Sequence, residues 1–245
     1  MKKLSWFIIL FSICVQVKGQ SSLGVSGLLT APSADMQADG TFMAGGNYLP
    51  KSMLTDDFRH NSGNYFLDLT FLPFIEVGYR CTLAKGKGTD LKDTWQQDRA
   101  VSLRLRVLKE KKYVPSVVMG SNDAFTTYAL DPFSSKKANR MFGSIYGVIT
   151  KNIPVGGHVL GITGGYYLPV YSGSLNKGFF GGIRYTPGFL PQVDVMAEYN
   201  IKKVSAGASL FLFRHLRLHV MTYGFTDVSA GIRYEFILIR KKRRS

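Results

Sequence analysis

The sequence predicts an all-β fold: a transmembrane antiparallel β-barrel of about 12 strands, preceded by a short N-terminal lead-in or plug segment. Apolar and polar residues alternate with a period of two through most of the chain, and no stripe with a helical period competes with this pattern. Most alternating segments have about the 9 to 11 residues that a tilted strand needs to cross a bilayer. The connections between them are alternately long and short, as in bacterial outer-membrane barrels.

The first 19 residues predict a secretory signal peptide. Lys2 and Lys3 precede an apolar stretch at 4–17, and the small-residue site Val17-Lys18-Gly19 follows it. The apolar stretch is too short to span a bilayer as a helix. We therefore expect Sec export, cleavage near Gly19 and, together with the strand pattern, localisation to the bacterial cell outer membrane.

The next segment, residues 20–40, is not strand-like throughout. Pro32 fixes the backbone, Gly24 and Gly27 precede it, and Asp39-Gly40 is a typical turn dipeptide. The pattern predicts a bent plug or a lead-in strand that ends in a turn, directly before the first strand of the barrel.

The barrel itself is predicted at residues 41–238, followed by a basic tail at 239–245. Its connections are long after the first, third, fifth and seventh strands and short after the strands between them, so the long ones are expected to form the outer loops. The segment 84–98 is one of these predicted loops. The predicted strands cover residues 41–49, 64–71, 75–83, 99–108, 113–121, 140–151, 157–167, 178–186, 192–200, 203–213, 216–224 and 228–238.

Charged residues share one face of these strands and are expected to face the lumen. In the strand at 75–83, Glu76 and Arg80 alternate with Ile75, Val77 and Tyr79, and lipid can accept only the apolar face. Asp68 and His219 fall on the same side as the charges of their own strands. The lumen-lining candidates are Glu76, Arg80, Arg104, Arg106, Arg184, Asp194, Glu198, Arg217, Arg233 and Glu235.

Two interpretations of these lumen charges stay open. They can form an ion-pair network that closes the interior, with the carboxylates as partners of the arginines, because buried charges are usually paired. They can also line a conduit for an acidic polysaccharide, since transport needs weak and repeated contacts. Tyr166, Tyr167 and Tyr171 near the outer rim fit either sugar stacking or an interfacial aromatic girdle.

The last strand carries an assembly pattern. Gly231 is followed by aromatic residues two apart, Tyr234 and Phe236, and this end resembles the C-terminal signal that the barrel assembly machinery recognises in outer-membrane proteins. Here the chain continues beyond the terminal aromatic residue. Outer-membrane lipid and the barrel assembly machinery are therefore expected partners.

Several function classes are excluded. The net charge of +15, from 31 basic and 16 acidic residues, is spread along the chain without a DNA- or RNA-binding motif, so no nucleic-acid partner is expected. The four histidines, His60, His158, His215 and His219, stand in no pattern typical of a nucleophile and its base. Cys81 is the only cysteine after the signal peptide, and the histidines lack ligand spacing. We predict no catalytic residues, no metal and no cofactor.

The N-terminal segment and the first strands carry a family resemblance. The motif residues are Gly27, Leu28, Pro32, Ala34, Met36, Asp39 and Gly40. With them the segment resembles the N-terminal motif of the YjbH family, exopolysaccharide-biosynthesis-associated outer-membrane proteins. Asp35 stands where that family usually has an arginine. The hairpin at 64–77 and the central stretch at 98–128 also resemble the family, so that the likeness covers roughly residues 22–165.

The resemblance implies an outer-membrane barrel linked to production or export of extracellular polysaccharide or capsule. It implies no biochemical mechanism. The chain is far shorter than the large members of the family and corresponds to a single-barrel version. We predict a non-enzymatic component of this process that acts as a conduit, with extracellular polysaccharide and periplasmic export proteins as further partners. A structural or partner-anchoring barrel and a general diffusion porin are the alternatives.

Overall fold

The protein forms a closed antiparallel barrel of 12 strands, in which every strand pairs with its neighbours in sequence and the last pairs with the first. The computed structural model describes residues 19, 21–55, 58–87, 93–126, 141–170 and 172–238. The strands are β1 (Thr41–Leu49), β2 (Ser62–Phe71), β3 (Ile75–Lys87), β4 (Asp93–Leu108), β5 (Ser116–Thr126), β6 (Ser144–Val155), β7 (His158–Pro169), β8 (Gly178–Thr186), β9 (Val193–Asn200), β10 (Lys203–Leu212), β11 (Leu216–Tyr223) and β12 (Asp227–Ile237).

The alternation of the sequence is the cause of this architecture. Along β2 buried and exposed residues alternate, and Leu67 points outward with 44% of its surface exposed, whereas Asp68 beside it is 1% exposed inside. The predicted transmembrane antiparallel barrel is confirmed. The outward-facing residues form an apolar belt around the barrel, which includes Val77, Leu103, Leu105, Ile149, Ile162, Ile183, Val195, Val220 and Ile232.

The hairpin of β3 and β4 is longer than the sequence predicts. Residues 84–87 pair with residues 93–96, for example Ala84 with Gln96 and Lys85 with Trp95. The predicted loop at 84–98 is therefore wrong except at 88–92, which lie outside the described residues. The strands continue beyond the apolar belt, where both faces are polar enough to hide the period-two pattern. Elsewhere the bounds differ by a few residues.

The two ends of the barrel differ in their connections. The turns between β2 and β3, β6 and β7, and β10 and β11 lie at the end where β1 begins and β12 finishes. The long connection at 50–61, with a short 3-10 turn at Lys51–Met53, lies at the opposite end. By the arrangement of outer-membrane barrels, the short-turn end is periplasmic and the other is the outer end.

Residues 21–37, here called the plug, lie inside the barrel, and every one of them is buried. The plug turns back on itself through an antiparallel bridge between Gly27 and Pro32, closed by a hydrogen bond of 2.9 Å from the Leu28 amide to the Ala31 carbonyl. A β-carbon at Gly27 would lie 2.4 Å from that same carbonyl oxygen, so only glycine fits there. At the periplasmic end the chain leaves the lumen through a turn at Asp39 and Gly40, where Gly40 has a φ of 73°.

Two hydrophobic clusters attach the plug to the barrel. Towards the outer end, Leu23, Leu28 and Leu29 of the plug pack against wall and loop residues such as Met53 and Met221. Further in, Ala31, Ala34 and Met36 pack against β5 to β8. The wall residues of this second cluster are Val118, Tyr146, Val148, Tyr167 and Phe180.

No helix in the described part of the chain has the length and apolar character of a membrane-spanning helix. The predicted signal peptide at 1–19, apart from Gly19, and the basic tail at 239–245 lie outside the described residues, as do Tyr128 and Tyr171.

Candidate functional site: the plugged lumen

All ten predicted lumen residues lie on the inner side of the wall. Eight of them are buried, and Arg106 and Glu235 are half-buried. Glu76 is 0% exposed and Arg104 is 2% exposed, so even the long charged side chains are shielded from solvent. The lumen is therefore filled around these charges, and what fills it is the plug together with the side chains themselves.

Part of the wall charge is neutralised within the wall. Arg104 forms an ion pair of 2.7 Å with Glu76 on the neighbouring strand. Arg217 lies 3.2 Å from Asp194. Glu235 pairs with Arg233 and lies 3.6 Å from Arg217. These pairs match the predicted partners.

Arg80 has partners that the sequence analysis did not assign. Its guanidinium lies 2.7 Å from a carboxylate oxygen of Asp123 and 3.3 Å from one of Asp98. Asp98 has the same parity as Arg104 along β4, so a longer strand prediction would have placed it in the lumen. Asp123 lies where the register between β4 and β5 shifts, at a φ of 53°, and this irregularity turns it inward against the simple alternation.

Three arginines of the wall, Arg104, Arg106 and Arg184, bind acceptor groups on the plug. Arg104 donates to the carbonyl of Ser33 in addition to its pair with Glu76. Arg106 donates to the carbonyl of Met36 at 3.3 Å. Arg184 forms an ion pair of 3.1 Å with Asp35, whose carboxylate also accepts a bond of 3.1 Å from Asn152. The cationic wall thus binds the backbone carbonyls of the plug and the carboxylate of Asp35.

Glu198 on β9 also binds the plug, and it does not pair with an arginine as predicted. Its carboxylate accepts hydrogen bonds from the amides of Leu29 at 2.9 Å, Thr30 at 2.8 Å and Ala31 at 3.3 Å. The hydroxyl of Thr30 donates to it as well. Successive backbone amides that converge in a turn form a site for an anion, and here the barrel wall supplies that anion.

Uncharged groups complete the attachment along the length of the plug. The carbonyl of Ser22 accepts bonds from Asn47 at 3.2 Å and Asn64 at 2.8 Å. The amide of Ala34 donates to Thr150 at 2.8 Å. Bonds to β1, β2 and β6 therefore add to those from β4, β8 and β9, and the plug is anchored around most of the barrel.

The tyrosines of β7 separate into two environments. Tyr167 lies near the outer end of β7, as expected, but it is 0% exposed: its ring faces the lumen, 4.2 Å from that of Phe180 between centroids, and packs against the plug, so it belongs to no outer aromatic girdle. Phe180 shares the face of Arg184 on β8, a parity from which the inner aromatic cluster was predictable. Tyr166 is 40% exposed on the outer surface, with its ring 4.7 Å from that of Phe179.

The terminal strand closes the barrel with its aromatic residues on the outside. The ring of Phe236 lies 5.0 Å from that of Phe42 on β1 and 6.0 Å from that of Tyr234. Gly231 faces inward, where a β-carbon would lie 2.1 Å from the side-chain oxygen of Asn47. Gly231 therefore serves close packing at the seam.

The histidines are scattered over the barrel. His219 lies in the lumen on β11, whereas His158 stacks on Tyr185 and His215 stacks on Tyr234 at the periplasmic end. Within the described ranges, no group of three or more His, Cys, Asp or Glu side chains could hold a metal ion. His60 lies in the long connection after β1.

Comparison with known proteins gives one match by sequence and several by structure. The model of the family YjbH, described as "Exopolysaccharide biosynthesis protein YbjH", matches residues 19–167, which include the whole plug and the strands β1 to β6. No curated protein matches the sequence.

Solved structures of outer-membrane proteins resemble the barrel at low sequence identity. The KdgM porin has a TM-score of 0.44 and 10% identity, over 80% of this chain and 98% of its own. An outer membrane channel from Pseudomonas putida F1 has a TM-score of 0.40 and 9% identity, over 84% and 98%. Outer membrane phospholipase A from Escherichia coli has a TM-score of 0.38 and 10% identity, over 82% and 93%.

Proposed function

Because the chain belongs to the YjbH family of exopolysaccharide biosynthesis proteins, we propose that it is a non-enzymatic conduit for extracellular polysaccharide or capsule that its own plug closes at rest. The observation that carries this proposal is the occupation of the lumen by residues 21–37, all of them buried. A conduit with a resident plug prevents leakage through the membrane until the plug moves.

The chemistry of the interface between plug and wall favours a plug that can move. Besides the two hydrophobic clusters, hydrogen bonds and ion pairs such as those of Arg104, Arg184 and Glu198 hold the plug, and water or a polar substrate can replace such partners. A plug held mainly by apolar contacts would leave a hydrophobic lumen behind it. This lumen would instead be lined by polar and charged side chains.

The wall also suggests the charge of the cargo. Arg104, Arg106 and Arg184 donate to acceptors on the plug, and departure of the plug would free those donors. They are spread over β4 and β8, so an acidic polysaccharide would meet them in succession and not at a single tight site. Weak and repeated contacts of this kind allow a charged polymer to bind and to leave again.

The apolar outer belt and the predicted signal peptide support a place in the bacterial outer membrane, with lipid around the barrel. The barrel assembly machinery is then the expected insertion partner, and periplasmic export proteins are the expected source of the polysaccharide. A general diffusion porin is disfavoured, because such a protein needs a lumen that is open to water.

A partner-anchoring barrel is the second candidate, and the density of buried ion pairs favours it. Arg80, Arg217 and Arg233 all have carboxylate partners inside the wall, so these charges are already compensated without a passing ligand. In that case the barrel holds periplasmic or extracellular components in place and its lumen never opens.

A reversible cross-link between plug and wall separates the two candidates. A β-carbon added at Gly78 on β3 would lie 3.3 Å from Cγ1 of Val25 in the plug, close enough for a disulfide between cysteines at these positions. The double variant Val25→Cys, Gly78→Cys would be built with Cys81→Ser, which removes the native thiol. Its control is Val25→Cys, Gly78→Ala in the same background.

The measured quantity is the polysaccharide secreted by a strain that lacks the native gene and carries each variant. A conduit predicts a large loss of secretion by the cross-linked variant, recovery when dithiothreitol reduces the bond, and normal secretion by the control. An anchoring barrel predicts equal secretion in all cases. Normal secretion by the strain without any copy of the gene would contradict both candidates.

A further inference from the structure

The outer end of the plug forms the floor of a cavity. The cavity has a volume of about 180 Å³ and lies between the connections that follow β1, β7 and β9, with Phe142 of the connection after β5 also in its wall. Ser22, Leu23 and Thr30 of the plug line it from below. The other described residues of its wall are Leu49, Ser52, Met53, Leu54, Phe142, Leu175, Asn176, Asn200, Ile201, Lys202, Lys203 and Tyr223.

Two residues of this lining carry a buried polar side-chain atom for which the structure shows no hydrogen-bond partner. One atom is the hydroxyl of Ser22, a residue that is 1% exposed, and the other is the side-chain oxygen of Asn200. An unpaired buried polar group lowers the stability of the folded protein. A ligand that brings hydroxyl groups to these two atoms would recover that stability, whereas an alkyl chain would leave both atoms unpaired.

The remaining lining divides into an apolar side and a cationic rim. Leu23, Leu49 and the ring of Tyr223 offer apolar surface. Lys202 and Lys203 are exposed at the rim, and no described residue of the lining is acidic. The site therefore suits a compact ligand with an apolar face, several hydroxyl groups and a negative charge.

We propose that this cavity binds one acidic sugar residue of the polysaccharide at the outer mouth of the barrel. The carboxylate of the sugar faces Lys202 and Lys203, its hydroxyl groups bond to Ser22 and Asn200, and its C–H face packs on the apolar side. This inference rests on the proposed function for the nature of the ligand. It adds a defined site, outside the lumen charges, where the exported chain is recognised.

The test is binding of short oligosaccharides to the refolded protein in detergent, measured by isothermal titration calorimetry. The probes are trisaccharides of mannuronate, guluronate and glucuronate, with cellotriose as the neutral control. The variants are Lys202→Gln with Lys203→Gln, Ser22→Ala, and Lys177→Gln. Lys177 is an exposed lysine on the connection after β7 that does not line the cavity, so its loss controls for charge alone.

We expect at least one of the acidic trisaccharides to bind, with cellotriose at least tenfold weaker. The double lysine variant should lose at least tenfold in affinity, Ser22→Ala a smaller factor, and Lys177→Gln nothing. Failure of all three acidic probes to bind, or an equal loss in Lys177→Gln and the double variant, would overturn the site. Because these measurements use purified protein, they are independent of secretion: a wild type that restores secretion but binds no acidic sugar refutes only the site.

Discussion

Asp35 shows how a single side chain adapts the plug to its barrel. Members of the YjbH family that this chain resembles usually have an arginine at this position, and here the carboxylate finds its cation on the wall, 3.1 Å away at Arg184. Both side chains are almost fully buried, at 6% and 8% exposure. A buried pair of this kind tolerates the loss of one partner poorly, because the other charge is left uncompensated.

Reversal of this charge should therefore loosen the plug. Asp35→Arg places a second cation against Arg184, and we expect labelling of a cysteine at Ser33, with Cys81→Ser, by a small maleimide to accelerate at least tenfold. Asp35→Arg combined with Arg184→Glu restores the pair and should return the labelling rate close to the original value. Equal protection in the single and double variants would mean that this ion pair does not retain the plug.

Glu198 should be the strongest single anchor of the plug. Both carboxylate oxygens of Glu198 accept bonds from the amides of Leu29, Thr30 and Ala31. Glutamine keeps one accepting oxygen, and the NH2 group that replaces the other can only donate. We expect Glu198→Gln to lower the free energy of unfolding in urea by about 2 kcal/mol and to accelerate labelling of the cysteine at Ser33.

Asp194→Asn is the matched control for Glu198→Gln. Asp194 is also a buried carboxylate, but its partners Arg217, Thr186 and Ser209 all belong to the wall. Its replacement should destabilise the barrel without changing the labelling rate. If both variants expose the plug equally, the plug responds to general loosening of the barrel and Glu198 has no special part in holding it.

The alternation of inward and outward residues along a strand explains which side chains the sequence places correctly. Alternation alone gives the inner side of β3 and β4 for Glu76 and Arg104, since every second residue must avoid lipid. Alternation cannot predict that Asp123 faces inward, because the register shift between β4 and β5 interrupts the alternation in the outer half of β5. Nor can it show that Glu198 binds backbone amides, because those amides belong to a segment far away in sequence.

At the scale of elements, β12 both closes the barrel and carries the predicted assembly signal. Phe236 contacts Phe42 on the outer surface at the periplasmic end, where the first and last strands meet. Because the ring of Phe236 lies on the outer surface, the barrel should fold without it. A strong effect of the loss of this ring on assembly in cells would therefore point to recognition by the assembly machinery.

We expect Phe236→Ala to reduce the assembled fraction in cells several-fold, as measured by heat-modifiable migration of outer-membrane extracts on gels. Phe179→Ala is the control, because this ring is 72% exposed and lies on the opposite half of the barrel surface. Both variants should refold equally well from urea into detergent. An equal loss of assembly in cells for both would contradict the assignment of Phe236 to the signal.

In two segments of the chain the period-two pattern of apolar residues does not predict the structure. Strands that cross the apolar belt alternate and are predictable, whereas the outer parts of β3 and β4 continue the ladder without apolar alternation. The plug is a second case. Pro32 and the two glycines before it predict either a bent plug or a lead-in strand, and the structure shows the plug. The sequence alone does not decide between the two, because the contacts that hold the segment inside come from strands far away in the chain.

In the molecule as a whole, the N-terminal segment of the chain closes the barrel that the same chain forms. The number of strands and their closure follow from strand length and from the alternation of the connections. Closure of the lumen does not, since it depends on the fit of small residues such as Ala31 and Ala34 against the ring of Tyr167 and on anchors from both halves of the wall. Only the assembled barrel brings these together.

Single-channel conductance in a planar bilayer shows whether the plug closes the lumen. The refolded wild type would be compared with a variant that lacks residues 21–37 and with Asp35→Arg, after heat-modifiable migration has verified that each is folded. If the plug closes the lumen, the wild type should be silent, the variant without the plug should conduct steadily, and Asp35→Arg should open intermittently. Steady conductance of the wild type, equal to that of the variant without residues 21–37, would contradict closure of the lumen by the plug.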